Sequence, residues 1–267
     1  MTDILGDIAG SEAIDVCVSS STSLPSVASP RECRQCITFC GGDSVYFDAG
    51  KRLIAQADQT ELFDKTVMYT PEFIQSRSDF WEKHSDFVLR NKRGYGYWIW
   101  KPYIIQQTMN EMKDGDILLY LDCGCEIDVY KKDEIAKYFE YVKEDYIIGA
   151  ITMTEKNWNK KDLIIRLGLE NSSHLETEQY QAGALLFYVC DKTRKLVNDW
   201  YNIACYYNFI DDSPSFSPNY AGFIEHRHDQ SIFSLLAKKY NLYSKKRLCS
   251  VIEYIRNRTG VSVLHRK

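Results

Sequence analysis

From residue 34 onward the sequence alternates short β-prone apolar runs with longer amphipathic stretches, and this alternation constrains the fold more than any other feature. RQCITFC stops at Gly41-Gly42, a strand followed by a turn. KRLIAQA then has helical character, and TVMYT reads as a second strand. Residues 71–90 carry Pro at a helix start and apolar residues at three-to-four spacing. PYIIQQTMNEMK is helical, and Asp114-Gly115 separates it from the strand DILLYLD. KKDEIAKYFEYV, DKTRKLVNDWYNIACYY and DQSIFSLLAKKY read as further helices, DYIIGAITM and GALLFYV as strands, and RLCSVI as a last one. Such alternation predicts an α/β fold, a single domain whose central mixed, mostly parallel sheet is flanked by helices. Ligands of such sheets bind at the carboxyl ends of the strands.

The first 33 residues differ. They hold the run SSSTSLPSVASP, without helical or strand period, and are expected to form a loose Ser-rich leader before a domain spanning 34–267. The N-terminus MTDILGDIAG has no basic region, so a signal peptide is not expected, and no apolar run is long enough to span a membrane. A cytoplasmic protein is therefore expected. A net charge of −4 argues against nucleic acid as a partner. The nine cysteines, without an export signal, are expected to be reduced and mostly buried. Cys33 and Cys36 have CxxC spacing, but a structural zinc wants a second such pair, which the chain lacks.

The chemistry is expected at LYLDCGCEID, residues 119–128. Asp122 and Glu126 are hard oxygen ligands suited to Mn²⁺ or Mg²⁺. Cys123 and Cys125, on either side of Gly124, read as compact packing residues. Alone, Asp122 equally suits a turn cap, and its neighbours shift the balance. His226-Arg-His-Asp-Gln230 puts two histidines and Asp229 at a helix N-terminus, where the dipole favours anions, although Asp229 also suits a helix cap. Glu178-Gln-Tyr-Gln-Ala-Gly-Ala184 enters a strand with a glycine and amides suited to hydroxyl recognition. RGYGYWIWKP sets Arg93 and Lys101 among aromatics, some of which must simply fill the core. Residues 206–223 read either as an acceptor-side loop or as an ordinary irregular connection.

RGYGYWIWKPYII, GDILLYLDCGCEI, QYQAGALLF and HRHDQSIFSLL, in that order, resemble the successive signatures of small GT-A-type glycosyltransferases of bacterial polysaccharide loci and large DNA viruses. The resemblance covers residues 35–250. It implies a GT-A-like, Rossmann-like domain, a nucleotide-sugar donor (a UDP-sugar, by family habit) and a glycan acceptor. It also implies a divalent ion, Mn²⁺ or Mg²⁺, held by an Asp-x-Asp-like element whose first position is Asp122. The third position is Gly124, so the usual pair is broken: either Glu126, a backbone group or water substitutes, or Asp122 also serves the ribose or the sugar. His226 and His228, and more weakly His265, stand where such enzymes place a further ligand. Thr38 and Phe39 would border the base, Arg52 and Arg93 the ribose or phosphates, and Lys101 the diphosphate. Gln181, Ala182, Gly183 and Tyr97 would meet the sugar or acceptor.

The implied reaction displaces a nucleoside diphosphate from an anomeric carbon, and an inverting course is favoured. It needs a general base, for which Asp229 is the first candidate and Glu178 the second. Two rivals use the same residues: a metal-dependent nucleotide hydrolase built on Asp122, Glu126, His226, His228 and Asp229, and a non-catalytic nucleotide- or carbohydrate-binding module.

Overall fold

The computed structural model describes residues 31–242, 244–248 and 252–254. The Ser-rich leader, His265 and residues 249–251 of the expected last strand lie outside the described residues. Among the described residues there are seven strands: β1 Arg34–Phe39, β2 Lys65–Tyr69, β3 Ile117–Leu121, β4 Cys125–Ile127, β5 Ile147–Thr154, β6 Glu178–Tyr188 and β7 Ile252–Tyr254. The helices are α1 Ser44–Thr60, α2 Pro71–Gln75, α3 Ser78–Arg90, α4 Gly94–Tyr97, α5 Trp100–Glu111, α6 Lys132–Asp145, α7 Lys161–Leu167, α8 Asp191–Ala204 and α9 His228–Lys239.

Five strands form one sheet in the order β2-β1-β3-β6-β5. β1 lies parallel to β2 and β3, while β6 runs antiparallel to both β3 and β5. Four of the five strands therefore point the same way, as the mixed, mostly parallel sheet of an α/β domain requires. β4 and β7 make a separate antiparallel pair.

Both faces of the sheet are buried, which is why its central strands read as continuous apolar runs rather than alternating ones. Ile37, Leu118, Tyr120, Leu185 and Phe187 pack on one face with the buried sides of α5, α8 and α9. Cys36, Leu119, Leu121, Ile148 and Leu186 pack on the other with α1 and α6. Every residue of β3 is buried, and the chain meets water again only at Asp122.

Three expectations need correction. Residues 71–90 are not one helix, because the chain breaks at Ser76-Arg77 into α2, with Pro71 at its first turn, and α3. Of the expected last strand, Arg247 makes an isolated bridge to Gly149 and Ile252 belongs to β7, which pairs with β4 outside the main sheet. The turn RGYGYWIWKP is more unusual than an aromatic plug. Five successive residues, Gly94 to Trp98, have positive φ, including Tyr95 at 53°, Tyr97 at 50° and Trp98 at 61°. Each non-glycine in that region costs roughly 1–3 kcal/mol and persists only where surrounding contacts impose it. Gly96 is required by φ and by space, since a Cβ there would lie 3.0 Å from Val88 Cα.

Candidate active site

The site grows from the end of β3. Asp122 N donates to Gly183 O of β6 at 2.8 Å, and Cys125 N closes a turn onto Asp122 O at 2.8 Å. Arg52 of α1 holds the same turn from outside, donating from one Nη to Cys125 O at 2.6 Å and Cys123 O at 3.2 Å. The backbone of DCGC is thus fixed from β6 and from α1. Cys123 packs with Cys40 and Ala49 in a small buried cluster, and Cys125 lies in the core against α1 and α6. Cys33, Cys36, Cys40, Cys123 and Cys125 form no disulfide, and burial pushes the Cys36 thiol up to about 12. No cysteine joins a convergent group of metal-ligating atoms among the described residues.

The Asp122 side chain meets two others. Lys101, in the first turn of α5, places Nζ 3.2 Å from Asp122 Oδ1 and 2.8 Å from Asp229 Oδ2 of α9. Tyr120 donates its hydroxyl to Asp122 Oδ1 at 2.7 Å. Lys101 and Asp229 are almost wholly buried, whereas the Asp122 side chain is 31% exposed. Its Oδ2 makes no hydrogen bond or ion pair among the described residues. Burial alone would pull Lys101 down, but the two carboxylates outweigh it and hold the ammonium above its ordinary value. Burial pushes Asp229 up to about 6 against the pull of Lys101. One ammonium between two carboxylates leaves a net negative centre with one open oxygen. Asp229 is in the first turn of α9, whose cap position is Arg227, so it is not the helix cap.

A second cluster adjoins through the next residue. His228 has φ 54° and buries its ring against Tyr97 and Trp98, with centroids 5.1 and 5.3 Å away. The left-handed turn at 94–98 and the strained His228 therefore brace each other. His228 Nδ1 donates to Ile210 O at 2.8 Å, which leaves Nε2 as a lone pair 3.7 Å from Asp212 Oδ1. Burial takes His228 down to about 4, so the ring is neutral at pH 7. Arg93 spans the cluster, reaching Asp212 Oδ2 at 3.1 Å and Glu225 Oε1 at 2.5 Å. Ligand atoms of Asp212, Glu225 and His228 all lie within 4.8 Å of one another.

Against the sequence-based expectations, the sheet edge gathers Asp122, Lys101 and Asp229. The metal set Asp122, Glu126, His226 and His228 does not converge. Glu126 is on β4, outside the main sheet. His226 accepts from Lys160 N through Nδ1 at 3.2 Å and donates from Nε2 to Phe209 O at 2.8 Å, so neither nitrogen is left for a metal. His228 belongs with Asp212 and Glu225 instead. The same finding disassembles the ligand set of the hydrolase rival. Glu178 begins β6 six residues before the partner of Leu121, roughly 20 Å along the strand from the Asp122 end, and its carbonyl accepts from Lys238 Nζ of α9 at 2.7 Å. Arg93 and Tyr97 stand in the second cluster, and Arg52 buttresses the turn.

Thr38 and Phe39 end β1 beside β3. Thr38 is fully buried, and its Oγ1 has no hydrogen-bond partner among the described residues. Phe39 stacks on Trp100 at 3.9 Å and is itself buried. Ala182 is core, Gly183 supports Asp122 through its carbonyl, and Gln181 is half-buried. Residues missed from sequence were Tyr120, Asp212 and Glu225. The doubled acid Asp211-Asp212 and the acid preceding His226-Arg-His228 were the available signals.

A divalent ion fits at Asp122 in one respect. Mg²⁺ is commonly held by one or two carboxylates with substrate phosphates supplying the rest, and Asp122 keeps one solvent-facing oxygen.

No family model matches the chain, and no curated protein matches it in sequence. Among solved structures it is similar to the apo form of mouse xyloside xylosyltransferase 1, with TM-score 0.43 and 10% identity over 78% of this chain and 83% of that one. It is also similar to galactosyltransferase LgtC in complex with donor and acceptor sugar analogues, with TM-score 0.42 and 13% identity over 76% and 70%. A third is a glycosyltransferase involved in glycosylation of the major capsid of PBCV-1, with TM-score 0.37 and 11% identity over 64% and 66%. At these values the likeness is in the course of the chain and does not extend to any reaction.

Proposed function

We propose that the chain is a glycosyltransferase moving a sugar from a nucleoside-diphosphate sugar, a UDP-sugar first, to a hydroxyl of a glycan. The observation that carries this reading is the Asp122–Lys101–Asp229 group at the carboxyl end of β3, where α/β sheets hold their ligands. A net negative centre with one open carboxylate oxygen suits a divalent cation, the counter-ion that a nucleoside-diphosphate leaving group calls for.

In this reading Lys101 balances charge as it develops on the diphosphate, which a preorganised group in a dry site does at little reorganisation cost. Asp122 orients Lys101 and is the residue that would hold a divalent ion, Mn²⁺ or Mg²⁺. When bound, that ion supplies Lewis-acid stabilisation of the leaving group. Asp229, raised to about 6, is ionised at neutral pH and has the basicity of a general base. The acceptor oxygen bonds to the anomeric carbon as the bond from that carbon to the diphosphate oxygen breaks. The acceptor proton goes to Asp229, and the electron pair leaves with the diphosphate. This single displacement inverts the anomeric centre. Thr38, whose buried hydroxyl has no partner among the described residues, and Phe39 after it at the end of β1 are the residues expected on the base side.

The test is a melting-temperature panel of UDP- and GDP-sugars with and without Mn²⁺, followed by nucleoside-diphosphate release from any donor that binds. A ligand selective for the folded state raises the melting temperature by mass action. One donor that stabilises and is slowly hydrolysed is the expected result. Absence of any shift sinks the reading; a shift without release leaves a binding module; release of phosphate supports a hydrolase.

A further inference from the structure

Residues 211–225 form a loop whose backbone is pinned more firmly than its lack of regular structure suggests. The Asp162 carboxylate accepts from Phe216 N at 2.6 Å and from Ser217 N at 2.9 Å. Lys161 N donates to Asn219 Oδ1 at 2.8 Å. Buried Lys160 donates from Nζ to Asn208 O, Asp211 Oδ1 and Ser213 Oγ at 2.7, 3.0 and 3.2 Å. Asn157 donates to Gly222 O at 2.6 Å and accepts from Ile224 N at 2.7 Å. Yet this fixed loop holds Phe216 87% exposed and Ile224 64% exposed. A large aromatic held in water by an ordered backbone gives nothing to the core, and a flat apolar face fixed in place is what a sugar ring stacks on.

Beneath the loop lies a groove of about 450 Å³, in the size range of small-ligand sites. Its lining includes Asp212, Ser213, Asn219, Phe223, Ile224 and Glu225. Carboxylate, hydroxyl and amide groups beside apolar walls match the hydroxyls and C–H faces of a sugar. The lining cation, Lys160, has its donors committed, and the adjacent Arg93 already bridges Asp212 and Glu225. A phosphate or uronate would find carboxylates and no cation to spare. The groove holds the space of roughly fifteen waters, enough for the about twelve heavy atoms of one hexose and too little for a second; Phe216 stands outside its lining, between the lining residues Ser215 and Ser217, where a second sugar would meet its ring. At its inner end Asp212 touches His228, the residue before Asp229.

We infer that this groove is the acceptor's extended binding site, that it takes a neutral oligosaccharide of two or more sugars, and that Phe216 is its outer stacking platform. The inference rests on the transferase reading for the word acceptor alone; the groove's chemistry stands without it. Asp162 is a positioning residue, because it holds the backbone that presents Phe216.

The experiment measures binding directly, by saturation-transfer NMR titration of the full chain. The probes are maltotriose, cellotriose, mannotriose and xylotriose, their monosaccharides, and digalacturonate as the anionic control. At least one neutral trisaccharide should bind about tenfold tighter than its monosaccharide, and digalacturonate should not bind. Phe216→Ala should weaken that trisaccharide about tenfold while leaving the monosaccharide unchanged, and Phe216→Trp should restore it. Asp162→Ala should mimic the loss with the ring still present. Equal binding of mono- and trisaccharides, binding indifferent to Phe216, or no trisaccharide binding would each overturn the inference. Glycan binding without any donor hydrolysis would instead overturn the transferase reading and leave the groove standing. Donor hydrolysis without glycan binding would do the reverse.

Discussion

Lys101 Nζ lies 2.8 Å from Asp229 Oδ2, and both side chains are almost entirely removed from water. The same ammonium lies 3.2 Å from Asp122 Oδ1, so one cation serves a carboxylate from β3's end and another from α9. An ion pair this deep is expensive to break, because the partner left behind is a buried charge without compensation. Lys101→Met should therefore lower stability by about 3–5 kcal/mol in urea unfolding. Lys101→Met combined with Asp229→Leu should recover much of that loss while restoring no activity. If the single change is as stable as the parent, the pair is not closed in solution.

Burial raises Asp229 from 3.8 to about 6, and the sign of its effect differs between rate and stability. As a general base it works ionised, so turnover should climb about tenfold per pH unit below 6 and level off above it. Stability runs the other way. Near and below pH 4 the folded state keeps a proton that the unfolded chain loses more readily, and this contribution disappears as pH rises through about 6. Asp229→Asn should sharply reduce turnover with donor binding intact, and the residual turnover, like the stability, should lose its dependence on pH between about 4 and 6. An acid limb that persists in donor hydrolysis by Asp229→Asn would assign the titration to another group.

Asp122 has one oxygen committed to Tyr120 and Lys101 and one facing solvent, whereas Cys123 and Cys125 are packed. Asp122→Ala should reduce transfer by at least about a hundredfold to a thousandfold, the scale of losing one preorganised electrostatic group. Cys123→Ser and Cys125→Ser should each keep substantial activity, and zinc should be absent by elemental analysis. Inactive serine variants that also release zinc would return the site to the thiols.

The sheet was readable because CITF and ILLYL are buried on both faces and therefore carry unbroken apolar runs bounded by glycine or charge, while the half-buried edge strand TVMY shows itself by β-branched and aromatic residues. Asp122 and Lys101 were readable because a strand's end and a helix's first turn are points where sequence position fixes spatial position. His226 was misread for the opposite reason. Its ring is satisfied by Lys160 N and Phe209 O, backbone atoms 66 and 17 residues away that no local pattern announces. The same holds for Arg93, whose partners Asp212 and Glu225 come from a loop over a hundred residues on. Left-handed φ at Tyr95, Tyr97 and Trp98 contradicts what those side chains prefer, so tertiary contacts account for the turn: His228 against Tyr97 and Trp98, Phe39 against Tyr95 and Phe87 against Tyr97.

Arg93 bridges Asp212 and Glu225 in the space toward which His228 Nε2 directs its lone pair. The three groups could satisfy a divalent cation, and the guanidinium already supplies positive charge there. Arg93 also holds Glu225 below the ordinary carboxylate range through its hydrogen bond. Arg93→Ala should therefore lower the melting temperature, since two carboxylates within 4.8 Å of each other lose their common counter-ion. Added Zn²⁺ or Mn²⁺ should restore it in that variant, because a carboxylate pair with a neutral imidazole is then open to a metal. The parent protein should show no such rescue through this cluster. The comparison is best made with Arg93→Ala/His228→Ala, which lacks the nitrogen ligand and should lose the rescue. Rescue that survives the loss of His228 would place the metal elsewhere, and a metal shift of equal size in the parent that His228→Ala removes would mean that Arg93 does not occupy the cluster in solution.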